Sequence, residues 1–136
     1  MNTLEETKIK ILAIDCLKSM KQHKTFRKLS HELSLPAGVL NRYINGYVLP
    51  KIDRAENLIN FFHKHYLPKI LESSKIKGSK YIVTANILSQ PFLLNVIAYK
   101  ASKNVESRIN VVLTAAVDGI PLAQAIARRI RQFLQP

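Results

Sequence analysis

The chain is poor in cysteine and in acidic residues, and it has no apolar run near the roughly 20 residues that span a bilayer. Cys16 is the only cysteine, which excludes an intrachain disulfide and a metal cluster built from cysteines. The first residues carry two glutamates and show no signal-peptide pattern. Because 47% of the residues are hydrophobic, a packed core is expected. We therefore expect a cytoplasmic protein without membrane spans.

The shortage of acidic residues leaves a strong positive charge. Nine Asp and Glu stand against 21 Lys and Arg, a formal net charge of +12. Residues 1–78 hold 14 basic and 7 acidic side chains, and residues 79–136 hold 7 and 2. Such an excess favours a polyanionic partner, most often nucleic acid. Charge alone is equally compatible with RNA, with a membrane surface or with a solvated basic surface.

The first half of the chain has the apolar spacing of four helices. Apolar residues at i, i+3 and i+4 predict a first helix over residues 4–21. Thr25 can cap a second helix, and Pro36 suits the first position of a third that ends before Gly46. Asp53 is predicted to cap a fourth helix, which Pro68 bends or ends.

The second and third helices are separated by only a short turn at residues 34 and 35. Ser30 is small where the two helices must approach each other. Leu33 and Leu35 can bury against the apolar side of the third helix, so the polar side of that helix faces outward. Its first residues are small, which permits close approach to base edges in the major groove of DNA.

Residues 29–50, LSHELSLPAGVLNRYINGYVLP, resemble the Cro/repressor-like helix-turn-helix family. The resemblance is carried by Asn41-Arg42-Tyr43, by Gly46 and by the closing Leu49-Pro50. Ser34 stands where that family usually has a glycine. The resemblance implies a DNA-binding regulator that reads the major groove with its third helix.

Asn41 can bond adenine, and Arg42 can bond guanine or phosphate. Residues at the start of the second helix and after the third can hold phosphates. The predicted DNA-contacting residues are Thr25, Lys28, Pro36, Ala37, Gly38, Asn41, Arg42, Asn45, Tyr47 and Lys51. A helical bundle with these side chains solvated, or a protein-docking module, remains an alternative.

The second half of the chain has a different pattern of predicted secondary structure. Residues 81–87 and 108–114 are β-prone, whereas 91–101 and the segment after Pro121 have helical spacing. Strand, helix, strand, helix at this spacing predicts a parallel α/β unit. The polar, glycine-containing stretch at residues 73–80 is the predicted boundary.

Residues 81–130 resemble the first part of a type I phosphoribosyltransferase. LSQPFLL at 88–94 resembles the family's first helix start, and 114–123, TAAVDGIPLA, resembles its pyrophosphate-binding loop and following helix. The resemblance implies a phosphoribosyl or nucleotide-like effector. The ligand-binding residues it implies are Ala115, Ala116, Val117, Asp118 and Gly119.

The family's adjacent acidic pair is missing, because only Glu106 and Asp118 are acidic after Ser79. We therefore expect no enzymatic activity and an incomplete domain. The alternatives are a fragment of a salvage phosphoribosyltransferase and a generic α/β unit that serves dimerisation.

The expected fold class is mainly α with an α/β C-terminal part. A helix-turn-helix bundle at 1–74 would precede an incomplete phosphoribosyltransferase-like βαβα unit at 75–136. The expected function is that of a homodimeric, sequence-specific transcriptional regulator that binds double-stranded DNA and responds to the effector. No cofactor, metal or membrane partner is expected.

Overall fold

The computed structural model describes residues 1–105 and 109–134 and contains eight helices in these ranges. They are α1 (Thr3–His23), α2 (Phe26–Leu33), α3 (Ala37–Ile44), α4 (Ile52–His65), α5 (Leu67–Ser73), α6 (Ala85–Leu88), α7 (Pro91–Lys103) and α8 (Ile120–Leu134). None of the helices in these ranges combines the length and the apolar character needed to cross a membrane. The chain divides into two compact units, Met1–Lys69 and a second unit that begins at Ile70.

The first unit packs α1 against α4, with α2 and α3 against α1. Its core contains side chains with at most 2% exposure from all four helices: Ile9, Leu17, Met20, Leu29, Leu40, Leu58, Ile59 and Phe62. Burying one such side chain contributes about 1.5–3 kcal/mol. Since α2 and α3 each contribute a fully buried leucine, their positions are set by the core.

The helix predictions for the first half are confirmed, with differences at the caps. Asn2 caps α1 and Thr25 caps α2 through their side chains. Pro36 is the N-cap of α3 rather than its first helical residue. Lys51, not Asp53, is the N-cap of α4, and Asp53 lies in its first turn. Pro68 is the second residue of α5, where its missing amide hydrogen costs nothing.

The second unit is also helical, which corrects the predicted fold class. Residues 109–134 and the described residues before them form no strand, so the βαβα unit is absent from the described chain. In the predicted strand 81–87, Ile82 forms an isolated bridge with Lys75, and α6 begins at Ala85. In the second predicted strand, residues 109–114 have no regular secondary structure, and Arg108 lies outside the described residues.

Helices α7 and α8 pack together, and α6 packs on α7. Leu93, Val96, Ala98 and Tyr99 of α7 are buried, with Ile130 of α8. The predicted helices at 91–101 and after the turn at Asp118 are therefore confirmed. A helical pair, rather than a sheet, forms most of the described core of this unit.

Candidate nucleic-acid interface

The start of α2 places two of the predicted phosphate contacts at the surface. The Lys28 backbone N–H donates to Thr25 Oγ1 at 3.3 Å, which satisfies one of the otherwise unpaired amides of the first turn. Both side chains are exposed. The positive end of the helix dipole and the Lys28 ammonium lie in the same turn, an arrangement that favours an anion.

The turn between α2 and α3 is fixed by Ser30 and Ser34. The Ser30 hydroxyl donates to the carbonyl oxygen of Leu35 at 2.6 Å, and the Leu35 amide donates back to the Ser30 carbonyl at 3.1 Å. Ser34 has φ 52°, a left-handed conformation that glycine adopts at lower cost. Ser34, which replaces the glycine usual in that family, therefore occupies the position of the turn where glycine is favoured.

All six predicted residues of α3 and its caps are exposed. They are Pro36, Ala37, Gly38, Asn41, Arg42 and Asn45. The opposite side of the helix is anchored by Leu40 and Tyr43, which are 0% and 4% exposed. The helix therefore presents a polar face with small residues at its start, as the spacing predicts.

Two of these side chains are already bonded to each other. Asn45 Nδ2 donates to Asn41 Oδ1 at 2.9 Å and to the Asn41 carbonyl oxygen at 2.9 Å. This leaves the two Asn41 Nδ2 hydrogens and the second lone pair of its Oδ1 for another partner. The amide of Asn41 is thus held in one orientation on the exposed face.

Gly46 ends α3 and sends the chain into the predicted loop. Its φ is 74°, its amide donates to the Tyr43 carbonyl at 3.1 Å, and the Tyr47 amide donates to the Arg42 carbonyl at 3.0 Å. These two bonds form a Schellman motif, which favours glycine at this position. Tyr47 is 75% exposed and Lys51 is exposed, so both predicted phosphate contacts after α3 are accessible.

Arg54 helps to hold α3 in place, and the sequence prediction did not include it. Its Nη1 donates to the Tyr43 hydroxyl at 2.7 Å, which links the first turn of α4 to the buried side of α3. Arg54 is exposed, whereas Tyr43 is buried. The available signal was Tyr43 itself, because a buried tyrosine hydroxyl requires a hydrogen-bond partner.

A polar cluster at the other end of α2 was also missed. Lys24 and Glu32 form an ion pair, and the Tyr66 hydroxyl donates to the second Glu32 oxygen at 3.4 Å. The hydrogen bond with Lys24 lowers the pKa of Glu32, and the same bond raises the pKa of Lys24. Burial raises the pKa of Tyr66. Through Glu32, the cluster connects α2 to Lys24, which precedes it, and to Tyr66, which follows α4.

A groove of about 670 Å³ lies beside the turn, between the loop after α3 and α4. Its lining mixes apolar residues such as Val48, Leu49 and Phe61 with Glu32, Lys51 and Arg54. Acids and bases are both present, so the groove has no preference for one sign of charge.

The predicted ligand loop lies in the second unit, before α8. Ala115, Ala116, Val117 and Asp118 are exposed and Gly119 is half-buried. Thr84 Oγ1 donates to Asp118 Oδ2 at 3.3 Å. A Cβ on Gly119 would collide with the Thr114 side chain, so the space there is filled by the chain itself. This loop holds a carboxylate beside a hydroxyl, and the negative charge of Asp118 would oppose a bound phosphate.

The ten predicted DNA contacts thus lie on one compact unit, whereas the predicted ligand loop belongs to the other. No known protein family, curated protein or solved structure matches the chain.

Proposed function

We propose that the chain is a sequence-specific DNA-binding transcriptional regulator that reads the major groove with α3. The observation that carries the proposal is the exposed face of α3, where Asn41, Arg42 and Asn45 follow two small residues. Two copies would read half-sites spaced by roughly 34 Å or a multiple of that distance.

The side chains on this face have the chemistry that base recognition requires. Asparagine amides bond adenine and arginine guanidinium groups bond guanine in the major groove. Each good bidentate contact is worth about 1–3 kcal/mol of discrimination between bases. Ala37 and Gly38 leave room for the backbone of α3 to approach the groove floor.

Exposed groups suited to phosphate precede and follow α3 along the chain. Thr25 and Lys28 precede it at the start of α2, and Tyr47 and Lys51 follow it. Phosphate contacts fix the orientation of a reading helix and do not themselves specify sequence. The nucleotide effector and the salvage-enzyme alternative rest on a resemblance to phosphoribosyltransferases, whose α/β fold the described residues lack, so neither is part of the proposed function.

The test separates base contacts from phosphate contacts. Bound sequences are first selected from random DNA, and binding is then measured to the selected duplex and to random duplex. Alanine at both Asn41 and Arg42 should lower the ratio of specific to random affinity by about tenfold or more, the equivalent of one lost bidentate contact.

The matched variant is Lys28→Ala. It should weaken binding to the selected duplex and to random duplex about equally. It should also reduce the magnitude of the slope of log affinity against log salt by about 0.9. A specificity ratio that survives the double alanine variant would show that α3 is not the reader. Salt-insensitive binding to a protein, with no retention of DNA, would favour the docking-module alternative.

A further inference from the structure

A short basic ribbon, residues 74–83, follows α5 in the second unit. Lys75 and Ile82 form an antiparallel bridge. The Ile76 amide donates to the Tyr81 carbonyl at 3.0 Å, and the Val83 amide donates to the Ser74 carbonyl at 2.7 Å. These bonds hold two extended segments side by side.

The tip of the ribbon is a tight turn closed by two further bonds. The Ser79 amide donates to the Ile76 carbonyl at 3.0 Å, and the Tyr81 amide donates to Ser79 Oγ at 3.0 Å. Gly78 has φ 73°, a conformation that a residue with a side chain rarely adopts. The turn therefore has a defined shape that depends on this glycine.

The ribbon carries an uncompensated positive charge. Lys75 pairs with Glu72 at 2.6 Å, but Lys77 and Lys80 are exposed and make no ion pair with any described residue. No acidic residue occurs between Glu72 and Lys100. Tyr81 is 66% exposed, and Lys80 Nζ lies 5.9 Å from its ring centroid.

We infer that the ribbon is a second nucleic-acid contact, in which Lys77 and Lys80 bind the phosphate backbone of double-stranded DNA. The charge of the tip is complementary to phosphate, and lysine contacts to phosphate supply the salt-dependent part of DNA affinity. The inference rests on the proposed function, because both require the chain to bind double-stranded DNA.

The experiment measures the salt dependence of binding to random duplex from 50 to 200 mM salt. Variants are Lys77→Ala with Lys80→Ala, and a control with Lys18→Ala and Lys64→Ala, two exposed lysines outside both proposed contacts. Loss of two phosphate contacts should reduce the magnitude of the slope by about 1.8, and the control should keep the wild-type slope. Circular dichroism establishes that each variant is folded.

Gly78→Ala tests the geometry without changing the charge. Because alanine disfavours φ 73°, this variant should weaken duplex binding while the ribbon keeps its three lysines. Wild-type affinity in Gly78→Ala would overturn the inference that the turn presents the lysines. Tighter binding to single strands than to duplex would overturn it in favour of base stacking on Tyr81.

If the double lysine variant keeps the wild-type salt slope while specificity still depends on Asn41 and Arg42, the ribbon inference is overturned and the proposed function stands. If the wild-type chain binds no duplex, the proposed function fails and the inference fails with it.

Discussion

Gly38 lies on the exposed face of α3, one residue after the helix begins. Glycine in a helix costs about 0.5–1 kcal/mol relative to alanine, and here nothing within 4 Å would meet an added Cβ. The fold therefore does not require glycine at this position. A close approach to DNA would require it.

We expect Gly38→Ala to raise the free energy of unfolding by about 0.5–1 kcal/mol and to weaken specific DNA binding. Denaturant unfolding measures the first effect and duplex titration the second. The matched variant Ala37→Gly should lose stability and keep its affinity, because it adds no atoms to the face. Unchanged affinity in Gly38→Ala would show that the helix does not approach the bases closely at Gly38.

Individual residues show where sequence reasoning succeeds and where it stops. The cap at Thr25 and the left-handed end at Gly46 follow from local chemistry, and both are confirmed. The Arg54–Tyr43 bond joins residues on different helices, and the Glu32–Tyr66 bond spans 34 residues. Such long-range pairs depend on how the helices pack, which local spacing does not specify.

At the scale of elements, α3 is held by α4 as well as by the core. The Arg54 guanidinium donates to the hydroxyl of Tyr43, on the side of α3 opposite to the exposed face. Hydrogen bonds to charged groups contribute about 1.5–3 kcal/mol when shielded and less when one partner is exposed, as Arg54 is. This bond therefore orients α3 without occupying its outer face.

We expect Tyr43→Phe to lower the free energy of unfolding by about 1 kcal/mol and to reduce the ratio of specific to random DNA affinity, while the salt slope stays unchanged. The positive charge of Arg54 is retained in this variant, so the change isolates the hydrogen bond. Tyr43→Phe, Arg54→Ala and the double variant form a double-mutant cycle measured by denaturant unfolding. Additive effects in that cycle would contradict a direct coupling between the two side chains.

Elements also explain the wrong prediction for the second unit. Residues 109–114, INVVLT, have the composition of a buried strand, but β propensity is realised only beside a partner strand. Within the described residues, α7 and α8 pack with each other and supply no such partner. Helical spacing over 91–101 was sufficient to predict α7, because a helix forms its backbone hydrogen bonds within one segment.

At the scale of the whole molecule, positive charge is shared by the two units. Residues 1–69 hold 12 basic and 6 acidic side chains, and residues 70–136 hold 9 and 3. A net charge far from zero opposes compaction. Independently of this, a poorly solvated acidic side chain makes stability depend on pH, because its pKa differs between the folded and unfolded states. Asp15, on the half-buried side of α1, is such a group.

Burial raises the pKa of Asp15, and Lys18 only partly offsets this effect. A carboxyl whose pKa is higher in the folded state stabilises the fold when protonated, and this contribution is lost as the pH rises through that value. At neutral pH the ionised Asp15 therefore lowers stability.

We expect Asp15→Asn to be more stable than wild type at pH 7, with the difference shrinking as the pH falls through the raised pKa of folded Asp15 and vanishing below the unfolded value of about 3.9. Urea unfolding at several pH values measures this difference in the free energy of unfolding. Asp53→Asn is the control with opposite sign, because Asp53 lies in the first turn of α4, where negative charge is favourable. A neutral-pH stability of Asp15→Asn at or below wild type would contradict the effect of burial.

The bond between Asn45 and Asn41 has a consequence for the thermodynamics of recognition. A side chain that is immobilised on binding loses rotamer entropy, at a cost of about 0.5–1.5 kcal/mol when it has many rotamers and less when it is short. Here part of that ordering has already taken place in the free protein, because the Asn41 amide is held at 2.9 Å by its neighbour one turn later. If α3 reads DNA as proposed, Asn41 and Asn45 are already ordered as a pair, and calorimetry should show a smaller entropic penalty of binding than two independent side chains would cause.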